Sequence, residues 1–496
     1  MKLSELLKGI PVKSIIGDTE REISNLAYDS RNVGKDSLFV ALKGYSTDGH
    51  RFITDAIGSG ASAVAVEDSD IVHDDYFLSH NTTKIVVPST RRALAIFSAN
   101  FYGHPSDKLK IVGITGTNGK TTSSYLVKSI LQDAGENVLL IGTINYLLNE
   151  RIIQAATHTT PESLELNQLM SSAIKQGATS AVMEVSSHSL FLQRVYGMKF
   201  KTALFTNLTQ DHLDFHGTME NYFNAKKILF DGLSSDAVGV VNLDDEYGDR
   251  IMSNSSAKKL TYGFSPEADL RIVDSNYSTE GTSIKVNYKG KTYSIFSKLV
   301  GKFSSYNLCG ALGVGISFGI EPERVIDAIS KVDRVRGRFE RVDSKNGFMV
   351  VIDYAHTPDS LQKTLQSARE IIKSAGKGGR LITVFGCGGN RDTTKRPKMG
   401  KIAKQLSDLV IVTSDNPRFE EPEAIVDEIL AGIEDKKNVF KIVDRREAIA
   451  EGLRQARRND VVVIAGKGHE DYQDIKGVKY HFDDREEVEK ALGLRN

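Results

Sequence analysis

The sequence predicts an α/β protein in three domains, and three observations predict it. Short apolar, β-branched runs alternate with segments of helical period over most of the chain. A length of 496 residues accommodates about three domains of ordinary size. A breaker cluster, Gly103-His104-Pro105-Ser106-Asp107, separates a first region from one that opens on Ile111 to Thr122, IVGITGTNGKTT.

Composition removes several classes of partner. Lys plus Arg and Asp plus Glu number 64 each, so neither a nucleic-acid surface nor an acidic tail is expected, and cations used on an anionic ligand must be placed locally. Cys309 and Cys387 stand far apart without metal-ligand spacing, which suggests neither a disulfide framework nor a zinc site. Met1 to Leu7 is amphipathic, and no apolar run is long enough to span a bilayer. Asn81-Thr82-Thr83 matches a glycosylation acceptor, but no secretory signal gives it meaning. A soluble, cytoplasmic monomer without membrane or nucleic-acid partners is expected.

Residues 1–107 predict a small mixed α/β domain, with strands at 25–28, 37–42, 63–66 and 84–87. The stretch Tyr28-Asp29-Ser30-Arg31, then Gly34, residues 38–40 and Gly44 through Asp48-Gly49-His50, is rich in turn-forming residues. By itself it reads as ordinary loop chemistry. A helix from Arg91 to Phe101 leads into the breaker cluster.

Residues 108–336 open on the central motif. Ile111, Val112 and Ile114 predict a strand, Gly116-Thr117-Asn118-Gly119 a tight turn, and Lys120-Thr121-Thr122 the start of a helix carrying Tyr125, Leu126, Ile130 and Leu131. This is the layout of a phosphate-binding loop: glycines let backbone N–H groups close on phosphate oxygens, Lys120 neutralises charge and a Thr hydroxyl can ligate Mg²⁺. The strict template wants its first glycine at Ile114, so the loop is a variant. Strand–helix alternation to about Arg334 predicts a mainly parallel sheet in a P-loop ATPase-like domain. Strands at 138–141, 181–185 and 202–205 end in polar clusters, Glu184 with Ser186-Ser187-His188, and Asn207 through His216. A carboxylate and an imidazole there suit cations, though such residues also merely tie loops.

The helix between a Thr218 cap and a Gly232 stop carries Met219, Tyr222, Phe223, Leu229 and Phe230 on its inward stripe. Lys226 falls on that stripe, whereas Lys227 lines up with Glu220, Asn224 and Asp231 on the polar face. A lysine among core residues must snorkel, pair or be chemically altered, and pattern alone favours snorkelling.

Residues 337–496 alternate again. Strands at 381–385, 409–413 and 461–465 each run into a polar or glycine-rich loop, predicting a Rossmann-like domain. Gly386-Cys387-Gly388-Gly389 does not fit the dinucleotide fingerprint.

Together these motifs resemble the Mur ligase family of peptidoglycan synthesis. They are Gly116 to Thr122, His158-Thr159-Thr160-Pro161, Glu184 to His188, Asn207 to His212, Ser305-Tyr306-Asn307, Gly337 to Glu340, Asp353 to Pro358, Gly386 to Gly389, Asp415-Asn416-Pro417-Arg418 and Gly466 to Glu470. The last two resemble the branch that adds the third residue of the stem peptide. The resemblance implies that Ser30 holds the uridine end of a nucleotide-sugar substrate, and that Thr159, Thr160, Ser186 and Arg194 grip its muramoyl-dipeptide. It implies that Asn307, Arg338, Asp353 and His356 contact ATP beside loop residues 116–122. It implies metal-site roles for Thr121, Glu184, His212 and Lys226, the last as a carbamate formed with CO₂ and holding Mg²⁺. Lys120, Lys226 and His212 are the catalytic set it implies. A role for Gln193 stays open, because the segment before Arg194 varies in the family.

Joining a carboxylate to an amine in water needs activation. ATP can supply it as an acyl phosphate, with Lys120 and Mg²⁺ shielding the phosphates and with catalysis resting on positioning and charge. Three ligands and three domains suggest closure about a shared cleft. A folylpolyglutamate-synthetase-like ligase is the second enzyme reading, and a nucleotide-dependent switch is the reading from another class.

The acceptor expected from the resemblance is meso-diaminopimelate on UDP-N-acetylmuramoyl-L-alanyl-D-glutamate, with L-lysine the alternative. Diaminopimelate carries a distal carboxylate that calls for a cation, and Arg418 offers a planar fork. Arg391, Asp415, Asn416, Pro417, Gly466 and Glu470 match positions of the same pocket. The plain alternative is that Arg418 only pairs with Glu420 or Glu421.

Overall fold

The apolar runs that the sequence offers as buried strands gather into three separate sheets. The computed structural model of the chain describes residues 1–44, 47–376 and 378–494, so part of the loop from Gly44 to Asp48 lies outside the described residues.

The first sheet holds β1 (Ser14–Ile16), β2 (Asn25–Ala27), β3 (Ser37–Val40), β4 (Ala61–Val66) and β5 (Thr83–Val86) in the order β1-β5-β4-β3-β2. It is parallel except at β1, the strand that the sequence pattern did not reveal. Helix α1 (Thr90–Tyr102) buries Ala93, Leu94 and Phe97; the Ser89 hydroxyl caps it by accepting from Arg92 N, and Gly103 ends it at φ 72°.

The second sheet has the order β16-β15-β14-β13-β12-β11-β6-β10-β7-β8-β9. Its strands are β6 (Lys110–Thr115), β7 (Val138–Ile141), β8 (Asn145–Leu148), β9 (Arg151–Ala155), β10 (Ser180–Glu184), β11 (Thr202–Phe205), β12 (Val238–Asn242), β13 (Lys258–Gly263), β14 (Leu270–Tyr277), β15 (Thr282–Tyr288) and β16 (Lys291–Ser297). The centre, from β7 through β14, is parallel, and its strands β6, β7, β10, β11 and β12 are buried on both faces, which is why they are almost continuously apolar. Helix α2 (Lys120–Asp133) and α5 (Lys302–Ser317) pack with one apolar cluster, while α3 (Ser163–Lys175) and α4 (Met219–Asp231) pack with the other.

The two edges differ from the expected strand–helix alternation. β7-β8-β9 and β14-β15-β16 pair antiparallel, and β13 to β16 follow one another without an intervening helix. β9 lies largely exposed, and β14 to β16 have one wet face, so their apolar residues alternate with polar ones and leave no continuous run.

The third sheet is β17-β18-β22-β19-β20-β21, antiparallel only at β17. It comprises β17 (Glu340–Asp343), β18 (Met349–Asp353), β19 (Leu381–Phe385), β20 (Leu409–Val412), β21 (Val439–Lys441) and β22 (Val461–Ala465), with α6 (Pro358–Ala375) and α7 (Lys395–Leu406) beside it. A separate hairpin, β23 (Tyr472–Ile475) and β24 (Val478–His481), follows β22. In both larger sheets the polar loops leave the C-terminal ends of adjacent parallel strands, where open α/β sheets collect ligands. Among the described residues no helix is long and apolar enough to cross a membrane.

Candidate active site

β6 leaves its sheet at Gly116, and α2 starts after Gly119 at φ 86°. A Cβ on Gly116 would lie 1.9 Å from Thr206 Oγ1, so glycine alone lets the loop run against the end of β11. The contact is then locked by hydrogen bonds. Asn118 N donates to Asn207 Oδ1 at 3.0 Å, while Thr206 Oγ1 and Asn207 Nδ2 donate to Asn118 O at 2.7 and 3.1 Å. Thr117 Oγ1 donates to Thr209 O at 3.1 Å. Thr121 and Thr122 are buried in the first turn of α2, whose opening N–H groups are free of intrahelical partners. Lys120 Nζ folds back on the carbonyls of Gly116 and Thr117, 2.8 Å from each, and burial holds its pKa below the usual lysine range.

Lys226 is 1% exposed, so it does not snorkel. Its Nζ donates to Gly116 O at 2.9 Å and stands 4.5 Å from the centre of the Tyr222 ring. Burial first, and the Lys120 charge second, push its pKa well below that of a free lysine. Lys227 departs from its expected place on a polar face. Ala225, Lys226 and Lys227 are all buried, because α4 is covered over more than half its circumference, and the Lys227 ammonium pairs with Asp231 one turn on.

Beside Tyr222 lies a cluster of imidazoles. His212 adopts φ 53°, its ring 4.8 Å from His188 and 6.1 Å from Tyr222 between centroids, with Nε2 3.5 Å from Asp211 Oδ2. Burial, reinforced by the neighbouring imidazoles, pushes His188 and His216 down to about 4, so both are neutral near pH 7. The Glu184 carboxylate is 1% exposed and takes three hydrogen bonds: from Thr143 N at 2.9 Å, and from Thr121 Oγ1 and Thr143 Oγ1 at 3.0 Å each. Thr121 thus bonds Glu184 directly, while His212 and Lys226 both stand near the Tyr222 ring. Among the described residues no three His, Cys, Asp or Glu side chains gather as a metal-holding group.

Asn307 packs on the loop, with Oδ1 2.5 Å from where a Gly119 Cβ would stand. Among the described residues its buried Nδ2 and the buried Arg338 Nε find no hydrogen-bond partner. Orphaned buried donors are costly unless a ligand or water meets them. Arg338 lies 4.9 Å over the Tyr354 ring. Asp353 is occupied structurally, accepting from Phe339 N at 2.7 Å and Thr364 Oγ1 at 2.9 Å, and burial raises its pKa. His356 Nδ1 is 2.8 Å from Tyr354 O. The third-sheet region reaches the loop through Asp359, whose Oδ2 accepts from Thr209 Oγ1 at 2.9 Å, Lys363 Nζ at 2.9 Å and Asn118 Nδ2 at 3.3 Å. Asp359 was invisible in the sequence, where it reads as an ordinary acidic first-turn residue of α6.

Ser30 opens a short turn capped by Asp29, two residues beyond Tyr28, whose OH donates to Glu165 Oε1 at 2.7 Å across to α3. Thr159 Oγ1 is 3.2 Å from Thr143 Oγ1, which ties it to the Glu184 network. The Thr160 hydroxyl donates to Glu184 O at 2.8 Å and accepts from Ser186 N at 3.1 Å, while Ser186 Oγ caps residues 187–191. Arg194 donates to Thr160 O at 2.9 Å and to Glu162 Oε2 at 3.2 Å, and Arg91 Nη1 lies 3.6 Å from the same oxygen. Gln193 Oε1 accepts from Arg92 Nε at 3.3 Å, bridging to α1.

Arg418, at φ 53°, pairs with neither Glu420 nor Glu421. Glu420 is taken by Arg396 at 2.8 Å, and Glu421 lies 3.9 Å from Lys476. Arg418 Nη1 instead donates to Gly389 O at 2.8 Å. Asn416 Nδ2 donates to Glu470 Oε2 at 2.7 Å, and burial followed by the Asp415 charge raises the Glu470 pKa. A Gly466 Cβ would lie 2.5 Å from Asp415 Oδ2, and a Gly389 Cβ 2.0 Å from Pro417 O, so the loops after β19, β20 and β22 are in contact. A Gly388 Cβ would stand 2.9 Å from Arg418 Nη1 and 3.9 Å from Arg391 Cγ; the Arg391 residue is exposed. Lys467 lies inside the Gly466 to Glu470 motif, but the sequence pattern assigned it no role. It is fully buried, with Nζ 3.6 Å from Glu470 Oε2 and 4.0 Å from Asp415 Oδ1.

Comparison with known proteins adds the following. Three family models match: "Mur ligase family, catalytic domain" over residues 22–102, "Mur ligase middle domain" over 114–315 and "Mur ligase, glutamate ligase domain" over 337–468. A Clostridium botulinum protein named UDP-N-acetylmuramoyl-L-alanyl-D-glutamate–2,6-diaminopimelate ligase is 45% identical over 496 residues, with 99% of each chain covered. A solved structure of a ligase with the same name superposes with TM-score 0.70 at 34% identity, covering 100% of this chain and 99% of that one. The MurF ligase of Thermotoga maritima, solved in complex with ADP, shares the fold at TM-score 0.60 and 21% identity, covering 95% and 98%.

Proposed function

The chain belongs to the Mur ligase family, and from that premise we propose that it joins meso-diaminopimelate to UDP-N-acetylmuramoyl-L-alanyl-D-glutamate. The reaction consumes ATP, passes through an acyl phosphate and serves peptidoglycan precursor synthesis. The loop at 116–122 holds the ATP phosphates through its free N–H groups and Lys120, whose ammonium swings from the Gly116 and Thr117 carbonyls to phosphate oxygens. The orphaned Asn307 Nδ2 and Arg338 Nε support a ligand on that side. Asp353 and His356 complete the nucleotide contacts.

A Thr hydroxyl and a carboxylate beside a phosphate loop suit Mg²⁺, which takes few protein ligands and keeps water and phosphate oxygens. Thr121 and Glu184 would hold one ion, and His212 with a carbamylated Lys226 a second. Bound there, Mg²⁺ would supply charge neutralisation between the phosphates and the attacking carboxylate. The depressed pKa of Lys226 supports the modification, because only a neutral amine adds CO₂: the N–C bond forms, an electron pair moves to oxygen and a proton leaves for solvent. The resulting anion would relieve the repulsion between Lys226 and Lys120.

Ser30, Thr159, Thr160, Ser186 and Arg194 are proposed for the nucleotide-sugar peptide, and Arg391, Asp415, Asn416, Pro417, Arg418, Gly466 and Glu470 for the acceptor. The observation that carries the acceptor reading is that Arg418 is engaged by neither following glutamate and keeps donor capacity beside Asn416 and Glu470. Three domains dividing near residues 107 and 336, a monomeric state and a cytoplasmic site of action belong to the same proposal, supported by the three sheets and by the small polar substrates.

An acceptor screen with ATP, Mg²⁺ and the nucleotide-sugar dipeptide, read by phosphate release and product mass, tests it. Turnover with meso-diaminopimelate and very little with L-lysine is expected. Equal turnover with L-lysine sinks the acceptor assignment, and ATP hydrolysis independent of any amine sinks the ligase.

A further inference from the structure

The hairpin β23–β24 belongs to none of the three large sheets, yet it grips the 415–418 loop residue by residue. Gln473 Nε2 donates to Asp415 O at 3.0 Å, and Asp474 N donates to Asn416 Oδ1 at 2.9 Å. Arg418 N donates to Asp474 O at 2.8 Å, and Lys476 N donates to Arg418 O at 2.7 Å, a parallel bridge that adds Arg418 to the hairpin edge. That bridge holds Arg418 at φ 53°, a conformation that non-glycine residues keep only when their surroundings impose it.

The Asp474 side chain divides its work. Oδ1 accepts from Gly477 N at 3.1 Å and closes the hairpin turn, while Oδ2 lies 3.9 Å from Arg418 Nε. Both side chains are 21% exposed, so the pair is only partly screened. With Nη1 on Gly389 O and Nε facing the carboxylate, the remaining guanidinium nitrogen has no protein partner among the described residues. Nη1 is anchored by its hydrogen bond, and the Asp474 charge near Nε biases the side to which the free edge of the fork points.

We propose that this hairpin sets acceptor selectivity, with Asp474 the positioning residue that aims Arg418 at the distal carboxylate of the acceptor. The proposal rests on the diaminopimelate reading above. Asp474 touches no substrate; it acts by restricting the rotamers of Arg418, so its loss raises the cost of ordering the fork on binding.

Asp474→Asn tests it, because the amide retains the Oδ1 acceptor of the turn and removes only the charge beside Nε. We expect a rise of about five- to tenfold in KM for meso-diaminopimelate, with KM for ATP unmoved and the melting temperature preserved. Asp474→Glu, which keeps the carboxylate, should recover most of the loss. In an Arg418→Ala background Asp474→Asn should add nothing. An unchanged acceptor KM in Asp474→Asn, when Arg418→Ala raises it, overturns the positioning role and leaves the proposed function standing. Equal increases in every KM, with a lowered melting temperature, would make Asp474 merely structural and overturn it as well. If Arg418→Ala leaves diaminopimelate use intact, the acceptor reading itself fails.

Discussion

Lys120 and Lys226 donate to one and the same oxygen, Gly116 O, at 2.8 and 2.9 Å. Two ammonium groups on one carbonyl repel each other, and this repulsion and the burial of Lys226 both favour an uncharged Lys226. An uncharged amine is the form that captures CO₂. Activity should therefore fall in CO₂-depleted buffer and return with bicarbonate. The sign follows from the depressed pKa: lowering the pH through it protonates the amine and reverses the modification. A carbamate carbon seen by NMR with labelled bicarbonate should disappear in Lys226→Ala, and a short carboxylate should restore part of that variant's activity. Equal activity with and without bicarbonate, and no carbamate signal, would remove Lys226 from this role.

Lys120→Ala should reduce kcat by about a hundredfold or more, since it deletes a cation aimed where charge develops. The same change removes the like charge facing Lys226 and should raise the pH needed for its carbamylation. Near-normal turnover in a folded protein would detach the loop from the chemistry.

Lys227→Ala separates the adjacent lysines. The Lys227 head is tied to Asp231 and its stem is buried, so the variant should keep its activity and lose on the order of 1 kcal/mol of stability. Thermal melts and steady-state rates measured together check this; a large loss of kcat would contradict the assignment to Lys226.

Gly388→Ala places a methyl group 2.9 Å from Arg418 Nη1. The obstacle is the far end of a flexible side chain, so the guanidinium should move rather than the fold. A severalfold rise in acceptor KM with an unchanged melting temperature is expected. Unaltered acceptor kinetics would show that Arg418 has room to spare.

Glu136 carries the acid-stability prediction. Burial raises its pKa, but hydrogen bonds from Lys110, Thr179 and Ser180 outweigh that and hold it down at about 2. A depressed carboxylate contributes stability fully above its unfolded pKa of 4.5 and loses it as the pH falls toward 2. Glu136→Gln should cost on the order of 1 kcal/mol near neutrality and flatten the decline of the melting temperature below pH 4.5. Parallel pH profiles for the two proteins would contradict it.

Strands buried on both faces and loops of unusual composition were legible in the sequence. β6, β10 and β11 announced themselves as continuous apolar runs, and Gly116 to Thr122 as a loop built for an anion. The wings β8–β9 and β14–β16 were not: β14–β16 are half-wet, which dilutes the apolar signal, β9 is largely exposed, and β8 is a buried run of only four residues. The hairpin β23–β24 was missed for the same reason: all of β24 is exposed. Lys226 stood out by falling on an apolar stripe, whereas Lys227, one residue on, was misjudged, since helical period gives a direction but not how far neighbouring elements wrap around it.

The sequence by itself determined the α/β class, the phosphate loop and the residue types of the acceptor motif, because local conformation and burial periodicity are written in neighbouring residues. Only the tertiary structure decided which distant groups share an atom. Lys120 and Lys226 meet at Gly116 O, Asp359 reaches Asn118 and Thr209, and Asp474 faces Arg418. Each pairing joins segments whose separation along the chain carries no information about their separation in space. The electrostatics of a buried site depend on that second distance.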